Sequence, residues 1–274
     1  MDKKVVFLDI DGTLTTLQGT LPDSAKEALR EASARGHQLV ICSGRTITQV
    51  YPWLLNTGFF SGVVSGAGAE VRVGDKLVFQ HLVDPDQQSR LVDFLEEREA
   101  YYYIQCTSGI YAPRYVIERE EKIFPGRLAD PDQREEVFGR TYVAEDPHQI
   151  SGVNKFLFFR AKAGVEEIRE FCGDYFEFTE SSFRRTGHVD GEITVRGYDK
   201  SEGMRQYLKA VGKDLADTIA FGDGPNDHEM LETAYTGVAM GNASDDLKEK
   251  ADLVTDPIDR DGLYKGFEML GLVG

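Results

Sequence analysis

The sequence predicts an α/β fold, a doubly wound parallel sheet of Rossmann-like character that is interrupted by an inserted α+β domain. Three observations lead there. Short apolar runs such as Val5-Val6-Phe7-Leu8 and Leu39-Val40-Ile41-Cys42 have the composition of strands buried on both faces. Helical spacing follows the first of them in Ala25, Ala28, Leu29 and Ala32, with Gly36 placed as a helix-ending glycine. The same strand-helix alternation returns near the C-terminus after a long stretch of different texture.

Taken in order, the first strand runs into Asp9-Ile10-Asp11-Gly12-Thr13, so it delivers carboxylates to its own C-terminal end. The second strand ends in Ser43-Gly44-Arg45. Ile47, Val50, Tyr51, Leu54 and Leu55 then fall at helical spacing up to Gly58, with Pro52 expected to bend or weaken that helix. Gly62-Val63-Val64 offers a third strand, and Val71-Arg72-Val73 and Leu77-Val78-Phe79 flank Gly74-Asp75 as in a hairpin. Residues 84–188 mix helices with aromatic strands such as Tyr101-Tyr102-Tyr103-Ile104 and Lys155-Phe156-Leu157-Phe158-Phe159, whose rings are read as packing rather than as a stacking surface. A helix with Met204, Leu208 and Val211, a strand Thr218-Ile219-Ala220-Phe221, the loop Gly222 to Asp227 and a strand Gly237 to Met240 complete the pattern. The expected domains are a core of residues 1–83 and 189–274 and an insert of residues 84–188.

Composition narrows the function. With 31 Lys and Arg against 47 Asp and Glu, the formal charge of -16 repels nucleic acid and anionic membrane surfaces. Neither is expected as a partner. No stretch reaches the ~18 apolar residues of a membrane helix, and the run after Lys4 is too short for a signal-peptide core, so the expected location is the cytoplasm. Cys42, Cys106 and Cys172 are too scattered for a metal or redox pair and are read as reduced structural thiols. His37, His81, His148, His188 and His228 show no metal-ligand spacing.

Four polar clusters follow strands or open helices: Asp9 with Asp11, Ser43-Gly44-Arg45, Lys200, and Gly222-Asp223-Gly224-Pro225-Asn226-Asp227. In an open α/β sheet the carboxyl ends of the strands are the ligand side, so these clusters are expected to converge. Gathered carboxylates repel one another unless a cation sits among them, and an oxygen-only ligand set points to Mg²⁺. Each cluster alone has an ordinary reading, as a turn, a cap or a solvated lysine; the coincidence of all four in order is what carries the functional one.

These residues resemble the four signature motifs of the haloacid dehalogenase superfamily. The segment Val238 to Ala243, with Ala251-Asp252 and Asp261-Gly262 after it, is similar to the tail of its Cof-type, type IIB subfamily. The resemblance implies a Mg²⁺-dependent phosphatase for a small phosphorylated metabolite, a sugar phosphate or similar. In that family's terms Asp9 is the nucleophile that forms an aspartyl-phosphate, and Asp11 is the general acid/base. Lys200 stabilises the transferring group. Mg²⁺ is held by Asp9, the backbone carbonyl of Asp11, and Asp223, with Asp227 behind them. Ser43, the N–H of Gly44 and Asn226 contact phosphate oxygens. An Asp at its ordinary pKa of ~4 is ionised at neutral pH and needs no base of its own.

The resemblance also makes the insert a cap that reads the substrate; Arg184, Arg185 and His188, just before the chain returns to the core, are candidate contacts for a second anionic or hydroxyl group, with surface charge as the favoured reading. Arg45 is read as a phosphate contact or a structural salt bridge, with the salt bridge favoured. Two departures stand out: Ser201 follows Lys200 where the family has glycine, and Ala67-Gly68 stands where Asn-Gly is common. The rivals are a phosphomutase and a non-catalytic phosphometabolite sensor. A dinucleotide-binding enzyme is disfavoured by carboxylates where a glycine-rich phosphate loop is required. Sequence sets neither the physiological substrate nor the oligomeric state.

Overall fold

In the computed structural model, which describes residues 3–16, 18–119, 140–180 and 188–274, the first segment of chain lays down β1 (Val5–Leu8), β2 (Gln38–Cys42), β3 (Phe60–Ser65), β4 (Glu70–Val73) and β5 (Lys76–Gln80). The middle segment adds β6 (Tyr101–Cys106), β7 (Gly109–Pro113), β8 (Thr141–Ala144), β9 (Val153–Ala161), β10 (Phe176–Glu180) and β11 (Val189–Val195). The last contributes β12 (Thr218–Gly222), β13 (Thr236–Ala239) and β14 (Leu253–Val254). They form two sheets, in the orders β14-β13-β12-β1-β2-β3-β4-β5 and β10-β11-β9-β6-β7-β8. The chain divides into two compact units. One holds Met1–Arg45, Pro52–Gln80 and Tyr198–Gly274; the other holds Thr46–Tyr51 and His81–Gly197.

The first unit is the expected parallel α/β sheet. From β14 to β3 every pairing is parallel, and the β3-β4-β5 edge is antiparallel. Alternation along the strands assigns the faces. Phe7 is level with Ala220, and both enter the core cluster of Met204 and Leu208, with Tyr207 edge-on to Phe7 at 5.7 Å. One residue on, Leu8 is level with Phe221, whose ring meets Phe267 of the helix Gly262–Met269 at 5.3 Å. Helices thus cover both faces, which is why the central strands carry no polar alternation.

The second unit is antiparallel except for β7 with β8. Its helices Pro85–Glu97 and Val165–Cys172 bring Phe94 and Phe171 into a stack at 4.1 Å. Tyr102 is buried with its hydroxyl donating to Glu96, and Tyr103 packs edge-on against Phe159, so these rings do serve as packing.

Two expectations need correction. The span from Ile47 to Leu55 is not one bent helix but a 3-10 turn, Ile47–Gln49, and a separate short helix, Pro52–Leu55. A proline disfavours helical geometry at the residue before it and offers no N–H to the preceding turn, so the helix restarts at Pro52 rather than passing through it. Residues 189–195, assigned from the sequence to the core, form β11 between β9 and β10 in the second sheet. A partly apolar strand returning from an insert has the same local pattern as a core strand, and only its pairing tells them apart.

Among the described residues no helix is long and apolar enough to cross a membrane. Cys42, Cys106 and Cys172 are free and buried, and burial pushes all three thiols up, Cys106 to about 12 and Cys172 to about 11, which keeps them unreactive.

Candidate active site

Register brings three of the four clusters to one edge. Leu8 is level with Ile41 on one side and Phe221 on the other, so Asp9, the Cys42-Ser43 corner and Gly222-Asp223 leave the sheet side by side. The Asp9 N–H still donates to the Phe221 carbonyl at 3.1 Å, which fixes the carboxylate at the rim.

Lys200 arrives from the far end of the chain. It opens the helix Lys200–Val211, where Asp199 is the N-cap and accepts from the Glu202 N–H at 3.0 Å. A lysine at a helix N-terminus faces an unfavourable dipole, and this one is also buried. What holds it there is a pair of carboxylates: its ammonium donates to Asp9 Oδ1 and to Asp227 Oδ1, each at 2.6 Å. Burial pulls the Lys200 ammonium down, but Asp227 and Asp9 outweigh it and hold it above its ordinary value.

The approach of that helix depends on two glycines. A Cβ at Gly68 would overlap the Asp199 carbonyl, and one at Gly203 would run into Val64 and the Gly68 backbone. Ala67, where the resembled family often has asparagine, sits in left-handed geometry with φ 55 and ψ 41. Asparagine tolerates that geometry better than alanine, so this departure concerns the backbone. The other has a local partner too, since the Ser201 hydroxyl donates to Asp199 Oδ1 at 2.6 Å.

Asp227 is fully committed. Besides Lys200 it accepts the N–H groups of Asp223 at 3.0 Å and Gly224 at 2.8 Å on Oδ2, which ties the loop into shape. Asp223 is held by Thr13, whose hydroxyl donates to Oδ1 at 2.9 Å, and by Asn242, whose amide donates to Oδ2 at 3.1 Å and to the Gly12 carbonyl at 2.9 Å. Gly12, at φ +95, is the cradle: a Cβ there would fall inside the Asp223 carboxylate.

Thr13 and Asn242 were not singled out from the sequence. Both stand inside motif segments, but a threonine after glycine and an asparagine in a loop have many uses, and only the fold brings them to Asp223.

Ser43 is buried, with its N–H donating to Val64 and its hydroxyl accepting the Arg45 N–H at 3.2 Å. Gly44 shares this corner, and Asn226 is exposed on the 225–227 turn. Asp11 is gripped by Arg45, with Nε donating to Oδ2 at 2.7 Å and Nη2 to Oδ1 at 2.9 Å. His188 is exposed, and Arg184 and Arg185 lie outside the described residues.

The charge balance bears on a cation. Oxygens of Asp9, Asp223 and Asp227 all lie within 4.8 Å of one another. With one ammonium among three carboxylates, ionisation of all of them leaves the set at -2. The strain shows in the acids. Burial, with Asp227 and Asp223 beside it and in spite of Lys200, pushes the Asp9 carboxyl up to about 8; burial and Asp227 push Asp223 up to about 6. Both shifts run toward the neutral acid, the direction expected of carboxylates gathered by burial around a single ammonium. A divalent cation among them would offset the excess negative charge, and an all-oxygen set of this size fits one.

A parallel α/β sheet with a buried lysine and clustered aspartates at its carboxyl edge suits phosphate-ester chemistry, and the proteins this chain resembles make it a phosphoric monoester hydrolase. The chain belongs to the haloacid dehalogenase-like hydrolases, whose family model matches residues 6–267. It is similar to YkrA of Bacillus subtilis, 30% identical over 100% of both chains, and to phosphatase YwpJ of the same organism, 29% identical over 95% of this chain and 97% of that one. Among solved structures it is similar to a sugar phosphatase of subclass IIB of the superfamily, with 28% identity, TM-score 0.80, and coverage of 99% of this chain and 100% of the other.

Proposed function

We propose that the chain hydrolyses the phosphomonoester of a small metabolite, a sugar phosphate or similar, with Mg²⁺ and through an aspartyl-phosphate on Asp9. The observation that carries this reading is the sharing of Lys200 between Asp9 and Asp227. Lys200 engages only one oxygen of Asp9, so the other remains available to attack. Asp9 Oδ forms a bond to phosphorus as the ester P–O bond breaks, and the leaving alkoxide takes a proton from Asp11. Water then attacks the aspartyl-phosphate, giving its proton to Asp11, and inorganic phosphate leaves as Asp9 is restored. Lys200 balances charge on the transferring oxygens. Ser43, the Gly44 N–H and Asn226 orient the phosphate, and Asp227 keeps Lys200 and the 223–224 loop in place.

Asp9, Asp223 and the Asp11 carbonyl would hold Mg²⁺, which when bound supplies positive charge that ionises Asp9 and screens the incoming phosphate. The second unit, whose main span is His81–Gly197, is assigned the reading of the leaving group. The test is a panel of phosphorylated metabolites with Mg²⁺ and with EDTA. Release of inorganic phosphate that EDTA abolishes is expected. An isomerised sugar phosphate without free phosphate would make the enzyme a mutase, and no turnover of any substrate would favour a sensor.

A further inference from the structure

Asp9 and Asp11, two residues apart, are held by different cations: Lys200 takes one oxygen of Asp9, while Arg45 takes both oxygens of Asp11. Arg45 is anchored. Its N–H donates to the Ser43 hydroxyl at 3.2 Å, its carbonyl accepts from the Gly66 N–H at 2.7 Å, and its side chain is 14% exposed against 40% for that of Asp11. Arg45 is thus the more enclosed member of the pair, on an anchored main chain, and the carboxylate is the member open to solvent.

We propose that Arg45 is the positioning residue for Asp11, a fixed two-pronged clamp that sets the direction in which this carboxylate gives and takes its proton. The proposal rests on the acid/base role of Asp11 stated above. A planar fork matches a carboxylate in two places and so fixes the rotation of the group as well as its location, which a single ammonium does not. It also leaves proton-transfer capacity intact. A carboxylate has about four lone-pair sites, and two N–H bonds occupy two of them. Without the clamp, the Asp11 carboxylate loses its two-pronged hold on rotation, and like-charge repulsion from Asp223 favours its turning outward. An ion pair this exposed on one side contributes little to folding, so stability alone does not account for a half-buried, backbone-anchored arginine here.

The experiment is a kinetic double-mutant cycle of Arg45→Ala and Asp11→Asn, with Arg45→Lys as the milder variant and circular dichroism to confirm folding. Arg45→Ala is expected to lower kcat by roughly ten- to a hundredfold, a part of the roughly hundred- to ten-thousandfold that general acid/base catalysis contributes, with KM changed less than about threefold. Arg45→Lys should fall between the two. In the Asp11→Asn background Arg45→Ala should cost no further activity, and added guanidinium chloride at millimolar concentration should partly rescue Arg45→Ala but not Asp11→Asn. Equal losses from Arg45→Ala in both backgrounds, a rise in KM alone, or no loss would overturn the clamp. Full activity in Asp11→Asn would instead remove the acid/base reading on which it rests.

Discussion

Lys200 and Asp227 meet at 2.6 Å with side chains 1% and 0% exposed, so a full ion pair is buried at the rim of the sheet with Asp9 as its third member. Burial of charge is tolerable only with good partners, and removing one partner from a buried set is costly. Lys200→Met is therefore expected to lower stability by ~3–5 kcal/mol in urea unfolding without Mg²⁺. An unchanged midpoint would show that the ammonium does not balance these carboxylates.

Gly12 makes room for Asp223. Gly12→Ala is expected to displace that carboxylate and weaken divalent-cation binding, which is readable without turnover. The melting temperature of the native protein should rise on titration with Mg²⁺, and that of Gly12→Ala should rise much less. Equal shifts in both proteins would take Asp223 out of the cation site.

Adjacent positions in the 66–68 turn should respond in opposite ways. Gly68→Ala has no space beside the Asp199 carbonyl, and it is expected to unseat the N-terminus of the Lys200 helix, with loss of both stability and activity. Ala67→Gly relieves left-handed geometry at φ 55 and should be neutral or stabilising by up to ~1 kcal/mol. Thermal melts of the two variants decide the matter, and tolerance of Gly68→Ala would refute the close-approach account.

His37 is buried and accepts the Lys4 N–H on Nδ1 at 3.1 Å. Burial lowers its pKa, with Arg35 adding to the effect. A base whose folded pKa is depressed binds more protons when unfolded, so its contribution is complete above the ordinary value of ~6.5 and is lost as pH falls below it. His37→Asn keeps an acceptor and removes the titration. The stability difference between the native protein and this variant should change between pH 7 and pH 5.5, with the native protein losing more; parallel pH profiles would rule the contribution out.

What the sequence revealed, and what it hid, follows from the range of the interactions. Asp9, Ser43 and Asp223 were legible because each ends a strand of a parallel sheet, and that topology sends strand ends to one edge. Lys200 was legible only from its order among the motifs, since its burial depends on Asp9, 191 residues away. The support given to Asp223 by Thr13 and Asn242 spans 210 and 19 residues and left no local pattern. The break at Pro52 was visible as a residue, but its strength was not, because apolar spacing on both sides continued the helical period. Residues 189–195 resembled core because strand character is local and strand pairing is not.

The central claim is that Asp9 becomes phosphorylated, and acid-quenched rapid mixing with a ³²P-labelled phosphomonoester tests it most directly. In the presence of Mg²⁺ the native protein should carry acid-stable, hydroxylamine-labile label approaching one phosphoryl group per chain under conditions where hydrolysis of the intermediate limits turnover, and Asp9→Asn should carry none while losing at least about a thousandfold in turnover. Label of the same amount on Asp9→Asn, or undiminished phosphate release by that variant, would contradict the account.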